Sequence, residues 1–98
     1  MSYCLTETAR DDIDRLLFDG MTRFGLRQAE SYYRNLVERF EFLSNNPRAA
    51  PERKDVEPHV HVHPFVSHVI IYKIDGDDIV ILSIRNAREN WHDLNWLL

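Results

Sequence analysis

Apolar residues recur with two different periods along this chain, helical in the first half and strand-like in the second. Ile13, Leu16, Leu17, Met21 and Phe24 return at steps of one, three and four, which predicts an amphipathic helix. Thr6 stands ahead of it with a capping hydroxyl, and Glu7 suits the positive first turn. Asp11, Asp12, Asp14, Arg15 and Asp19 fill the remaining faces. Gly20 is a mild flaw inside this helix, and Gly25 is its expected break. Ala29, Tyr33, Leu36, Phe40 and Leu43 then mark the stripe of a second helix. Glu30 and Arg34 form a favourable pair on it. Asn45-Asn46-Pro47 ends it by turn chemistry and a missing donor. Two helices with so short a join form an antiparallel hairpin.

Residues 47–58 hold three prolines and read as a loop. Beyond them Val60 and Val62 alternate with His59, His61 and His63, the period of a strand. Residues 69–74 form a second strand, and Asp75-Gly76 opens a tight hairpin turn. Residues 79–84 are apolar on both faces and read as a central strand. Tyr3-Cys4-Leu5 is a short strand at the start. Residues 90–98 read as a short tail or helix, with Trp91, Leu94 and Leu97 or Leu98 as its stripe. The expected fold is α+β: a short N-terminal strand, then a two-helix hairpin packed on a C-terminal antiparallel sheet.

Composition narrows the picture. At 98 residues the chain has the length of one domain, expected to span 1–98. Its 12 Lys+Arg against 16 Asp+Glu give a net charge of -4, unlike a dedicated nucleic-acid binder. Cys4 is the only cysteine, so no intrachain disulfide forms. No stretch has the length of a membrane span and no signal peptide is visible, so a cytoplasmic protein is expected. Phosphate-loop, nucleophile-elbow and zinc-helix motifs are absent from the sequence, and no cofactor is expected.

Three features offer chemistry. His59, His61 and His63 share one strand face over about 13 Å. Such imidazoles hold zinc or copper when other ligands join them, but no acidic or cysteine ligand stands at a suitable spacing. A solvated face opposite a core of Val60 and Val62 is the expectation, and no metal site. Arg85 and Arg88 follow the central strand, where a planar guanidinium can meet carboxylate or phosphate. Trp91 and Trp96 are bulky for a terminus. Trp91 is expected to dock on its own sheet or to anchor a partner.

The order of segments resembles the RelE/ParE toxin superfamily of type II toxin–antitoxin systems, its ParE branch in particular. The resemblance runs through residues 3–6, 9–13, 24–32 and 40–47, is strongest over 63–74, and ends with 79–82 and Arg88-Glu89-Asn90-Trp91. The chain departs from the family at His61, where Arg is common, and over Ser83-Ile84-Arg85-Asn86-Ala87-Arg88, where Arg-Val-Leu-His-Gly-Arg is common.

The resemblance implies a cytoplasmic bacterial toxin that poisons DNA gyrase and is held inactive by a cognate ParD-like antitoxin. Contact with DNA would come only through antitoxin or gyrase, and contact with a membrane is not implied. The candidate target-recognition residues, chosen by their chemistry, are His61, His63, Arg85, Arg88 and Trp91, of which only Arg88 keeps a family arginine over 83–88. An amphipathic antitoxin segment is expected in an apolar groove, with Tyr32, Tyr33, Leu36 and Phe40 of the hairpin as candidate contacts, about half of them expected to prove core. The RelE-like alternative is a ribosome-dependent mRNA endonuclease using His61, His63, Arg85 or Arg88. The acidic charge disfavours that alternative, since such an enzyme approaches an anionic ribosome. A degenerate, non-toxic antitoxin-binding module is the third reading.

Overall fold

Thr6 starts the architecture at two levels. Its side chain accepts the Ala9 N–H at 3.1 Å and caps the first helix, α1 (Glu7–Phe24). Its hydroxyl also donates to the Leu82 carbonyl at 2.9 Å, tying the helix start to the sheet. This computed structural model describes residues 2–55 and 59–92. Gly25, at φ 91, ends α1 and precedes α2 (Leu26–Asn45). That backbone region is open to glycine at little cost, which explains a break one residue long.

The strands are β1 (Tyr3–Leu5), β2 (Glu52–Arg53), β3 (Val60–Phe65), β4 (His68–Asp75) and β5 (Asp78–Asn86). They lie in the order β1-β5-β4-β3-β2. Successive strands from β2 to β5 pair antiparallel, while β1 pairs parallel with β5. The α+β reading is therefore right, and the interior position of β5 explains its apolar run. Gly76 sits at φ 64 in the β4–β5 turn, as that turn requires.

The sheet is buried on both faces. Toward the helices, Ala9, Ile13, Leu36, Phe40 and Leu43 meet Ile70, Tyr72, Ile79, Ile81 and Ile84. On the other face Val60, Val62, Val69, Ile71 and Leu82 cluster with Trp91. A bulge opposite Ile71 and Tyr72 leaves Leu82 without a pairing partner across the ladder. It resets the alternation, so Ile84 joins Ile79 and Ile81 on the helix side.

Several expectations are corrected. The 47–58 segment is not loop throughout, because Glu52 and Arg53 pair with His61 and Val60 as an edge strand. The histidines do not form a solvated stripe. His61 is buried, stacks on Tyr72 at 5.2 Å, and donates from Nδ1 to the Ala50 carbonyl at 2.7 Å. His63 is half-buried on the same side. Alternation sorted His from Val correctly, but both sides of the strand are covered. Leu36 and Phe40 are core, at 0% and 1% exposure, and so make up the half of the four helix candidates expected to prove core. The expected tail helix, with Leu94, Trp96, Leu97 and Leu98, lies outside the described residues.

Candidate functional site

The end of β5 carries two of the expected recognition residues in different states. Arg85 forms a two-pronged pair with Glu89, Nε to Oε1 at 2.9 Å and Nη2 to Oε2 at 3.0 Å. Glu89 Oε1 also accepts the Asn86 N–H at 2.8 Å. The bidentate pair holds the Glu89 carboxyl below its ordinary range and pushes the guanidinium further up. Arg88 is exposed on the following turn, whose N–H donates to the Asn86 side chain at 2.9 Å. Arg85 thus fixes the turn, and Arg88 presents its charge outward.

Beside this end lies a polar cleft of about 440 Å³, lined among others by Asp12 and Arg15 of α1, His68, Arg85 and Glu89. Asp12 is buried at its floor. It accepts the Ile84 N–H at 3.2 Å and the Ser83 hydroxyl. β1 ends at Leu5, so the edge of β5 beyond Ile81 has no strand beside it. Thr6 and Asp12 supply the partners that a longer β1 would have given. An unpaired buried N–H is costly, which explains an acid on the inner side of α1.

A second groove of about 430 Å³ runs between the hairpin end and the β3–β4 turn, with Leu17, Phe24, Tyr32, Val66 and His68 in its walls. Tyr32 and His68 join the two sides at 2.7 Å, Oη to Nδ1. Burial pushes the Tyr32 phenol up to about 12 and pulls the His68 imidazole down, against an opposing pull from Glu89. Both shifts favour the neutral groups, and the imidazole tautomer sets which of the two donates. Tyr32 is half-buried and Tyr33 is exposed. Phe18, Met21, Phe24 and Leu26 expose large apolar surfaces at the same end of the hairpin. Val66 is exposed at φ 55, an uncommon conformation for a β-branched residue.

Trp91 is buried at 6% exposure on the face away from the helices. Arg53 covers its ring at 5.2 Å, and His92 stacks on it at 3.8 Å. The docking expectation is right for this residue, and its role as an exposed anchor is corrected by that burial. On the helix side His63 Nε2 accepts from Arg39 Nη1 at 3.1 Å. Burial and the neighbouring guanidinium both lower the His63 pKa.

The expected recognition residues thus occupy opposite faces of the sheet as well as its end. Among the described residues, no group of three or more His, Cys, Asp and Glu is arranged to hold a metal ion. Sequence reasoning missed Asp12, Arg39 and the His68–Tyr32 contact as organising groups. Asp12 departs from the surrounding charges only by lying one residue before the first apolar position of the stripe. No helix of the described chain is long and apolar enough to cross a membrane.

Comparison with known proteins places this geometry. The family model described as "ParE toxin of type II toxin-antitoxin system, parDE" matches residues 3–91. Toxin ParE3 of Caulobacter vibrioides is 28% identical over 85 residues, covering 87% of this chain and 85% of that protein. A solved structure titled "Chromosomal ParDE TA system from P. aeruginosa" contains a chain with the same fold. Its TM-score is 0.76 at 22% identity, covering 90% of this chain and 97% of that one.

Proposed function

The chain belongs to the ParE toxin family of type II toxin–antitoxin systems, and on that footing we propose that it inhibits DNA gyrase by binding alone. In this reading it acts in the cytoplasm and is neutralised there by a cognate ParD-like antitoxin. The observation that carries the binding mechanism is the inward engagement of both strand histidines. His61 donates to the Ala50 carbonyl beneath the β2 segment, and His63 accepts from Arg39. Each has one ring nitrogen committed within the fold and His61 is buried, an arrangement less suited to general acid–base work on a scissile phosphate than the ribonuclease alternative requires. Arg85 is likewise committed to Glu89. The net charge of -4 further disfavours approach to an RNA-rich surface.

Arg88 is then the leading target contact, because it is exposed beside the fixed Arg85–Glu89 turn. The antitoxin is assigned to the hairpin end, where Phe24, Tyr33 and the Tyr32-lined groove offer an apolar seat for an amphipathic segment. Induction of the chain alone in bacteria tests the reading first. Arrested growth, restored by co-expressing the antitoxin, supports it. Normal growth with folded protein present favours a chain that has kept antitoxin binding and lost toxicity.

A further inference from the structure

Among the described residues three arginines are half-buried: Arg39, Arg53 and Arg85. Two of them meet carboxylates. Arg53 pairs with Asp55 at 2.8 Å and Arg85 with Glu89 at 2.9 Å. Arg39 differs. Among the described residues no carboxylate lies within ion-pair distance of it. Its contacts are the neutral Nε2 of His63 at 3.1 Å and two ring faces, Phe42 at 5.8 Å and Phe65 at 5.9 Å.

A guanidinium carries five N–H donors in a fixed plane and has lost part of its water here. Ring faces and one imidazole nitrogen answer it less fully than a carboxylate does. These contacts nevertheless hold its orientation, so the cost of ordering a long side chain is met before any partner arrives. Phe42, at 46% exposure, leaves an open apolar surface beside the charge. A cation held in place, with spare donors and an exposed ring next to it, suits one carboxylate followed by an apolar side chain. A polyphosphate backbone suits it poorly, because Glu38 and Glu41 are exposed on the same helix and the chain is acidic overall.

We propose that Arg39 is a recognition residue for a single Asp or Glu of the antitoxin, with Phe42 receiving the apolar residue beside that acid. The proposal rests on the toxin–antitoxin reading and adds to it a second contact region, on the α2–β3 side of the molecule. His63 is the positioning residue that holds the guanidinium.

Titration calorimetry of the full chain against a full-length cognate ParD-like antitoxin tests this. Arg39→Gln is expected to weaken binding by about tenfold or more and to reduce its salt sensitivity, whereas Arg39→Lys recovers part of the loss. Arg34→Gln, which removes the same charge from an exposed position on α2, stays within about twofold. A scan of the antitoxin's acids to their amides keeps this chain intact even where an Arg39 variant folds poorly. One such change is expected to reproduce the loss, and to add nothing further when combined with Arg39→Gln. Wild-type affinity in Arg39→Gln, equal losses in Arg34→Gln, or an acid scan without effect overturns the proposal while leaving the toxin–antitoxin reading in place. If the wild-type chain itself does not bind that protein, both fall together.

Discussion

The carboxylate of Asp12 on α1 accepts the backbone N–H of Ile84 on β5 at 3.2 Å, across a separation of 72 residues. It joins the first helix to the sheet edge that β1 leaves uncovered. The contact does the work of a missing strand residue, since a buried N–H otherwise stays unpaired.

Asp12→Ala is therefore expected to destabilise the fold by about 2–3 kcal/mol, the scale of a lost hydrogen bond to a charged acceptor with its donor left buried. Urea denaturation checks this through a lower midpoint. Arg15→Ala, whose partner contact with Asp12 is 3.5 Å long and whose side chain is 70% exposed, is expected to change stability by less than about 1 kcal/mol.

The helix stripe separates core from surface by the same measurement. Leu36→Ala and Phe40→Ala are expected to cost about 2–5 kcal/mol each, because both side chains are buried against the sheet. Tyr33→Ala is expected to lie within about 0.5 kcal/mol of the parent, being exposed. A loss of antitoxin affinity in Tyr33→Ala without loss of stability would mark a contact.

Trp91 and Arg88 divide in a similar way. Trp91→Ala empties a place in the cluster of Val60, Val62, Val69, Ile71 and Leu82, and is expected to cost about 3–5 kcal/mol. Any loss of toxicity it causes follows the loss of fold. Arg88→Ala, on an exposed turn, is expected to leave the melting temperature nearly unchanged and to abolish or weaken toxicity. That combination assigns it to the target surface.

The local parts of this fold were legible in the sequence. The Thr6 cap, the Gly25 break, the Asn45–Pro47 stop and the Asp75-Gly76 turn each depend on a few adjacent residues. The pairing of β1 with β5 was not legible, because Tyr3 and Ile79 meet only through the folded sheet. Alternation placed His61 and Val62 on opposite faces, yet it does not say that both faces are covered. Arg39 escaped notice for the same reason, since His63 and Phe65 come from a strand more than twenty residues away. Arg85 and Arg88 were found together by their place just past the apolar run 79–84. Their different roles depend on Glu89, whose reach back to Arg85 is a property of the turn.

His68 gives the fold a pH dependence of predictable sign. Burial lowers its folded pKa below the ordinary 6.5, so the unfolded chain binds the proton more readily. The stabilisation is present above about pH 6.5, and is lost as the pH falls through the lowered folded value. Glu89 opposes the shift and tempers the loss. His63 adds to it with the same sign. Denaturation midpoints are expected to fall between pH 7 and pH 5. His68→Gln is expected to shrink that fall, and an unchanged slope in this variant would assign it to other groups.

A DNA supercoiling assay with purified gyrase and the purified, folded chain, repeated with the antitoxin present, tests the central claim most directly. The account predicts inhibited supercoiling or trapped cleaved DNA, relieved by the antitoxin and weakened in Arg88→Ala. Unchanged supercoiling by a folded chain, together with cleavage of mRNA on ribosomes, would contradict it.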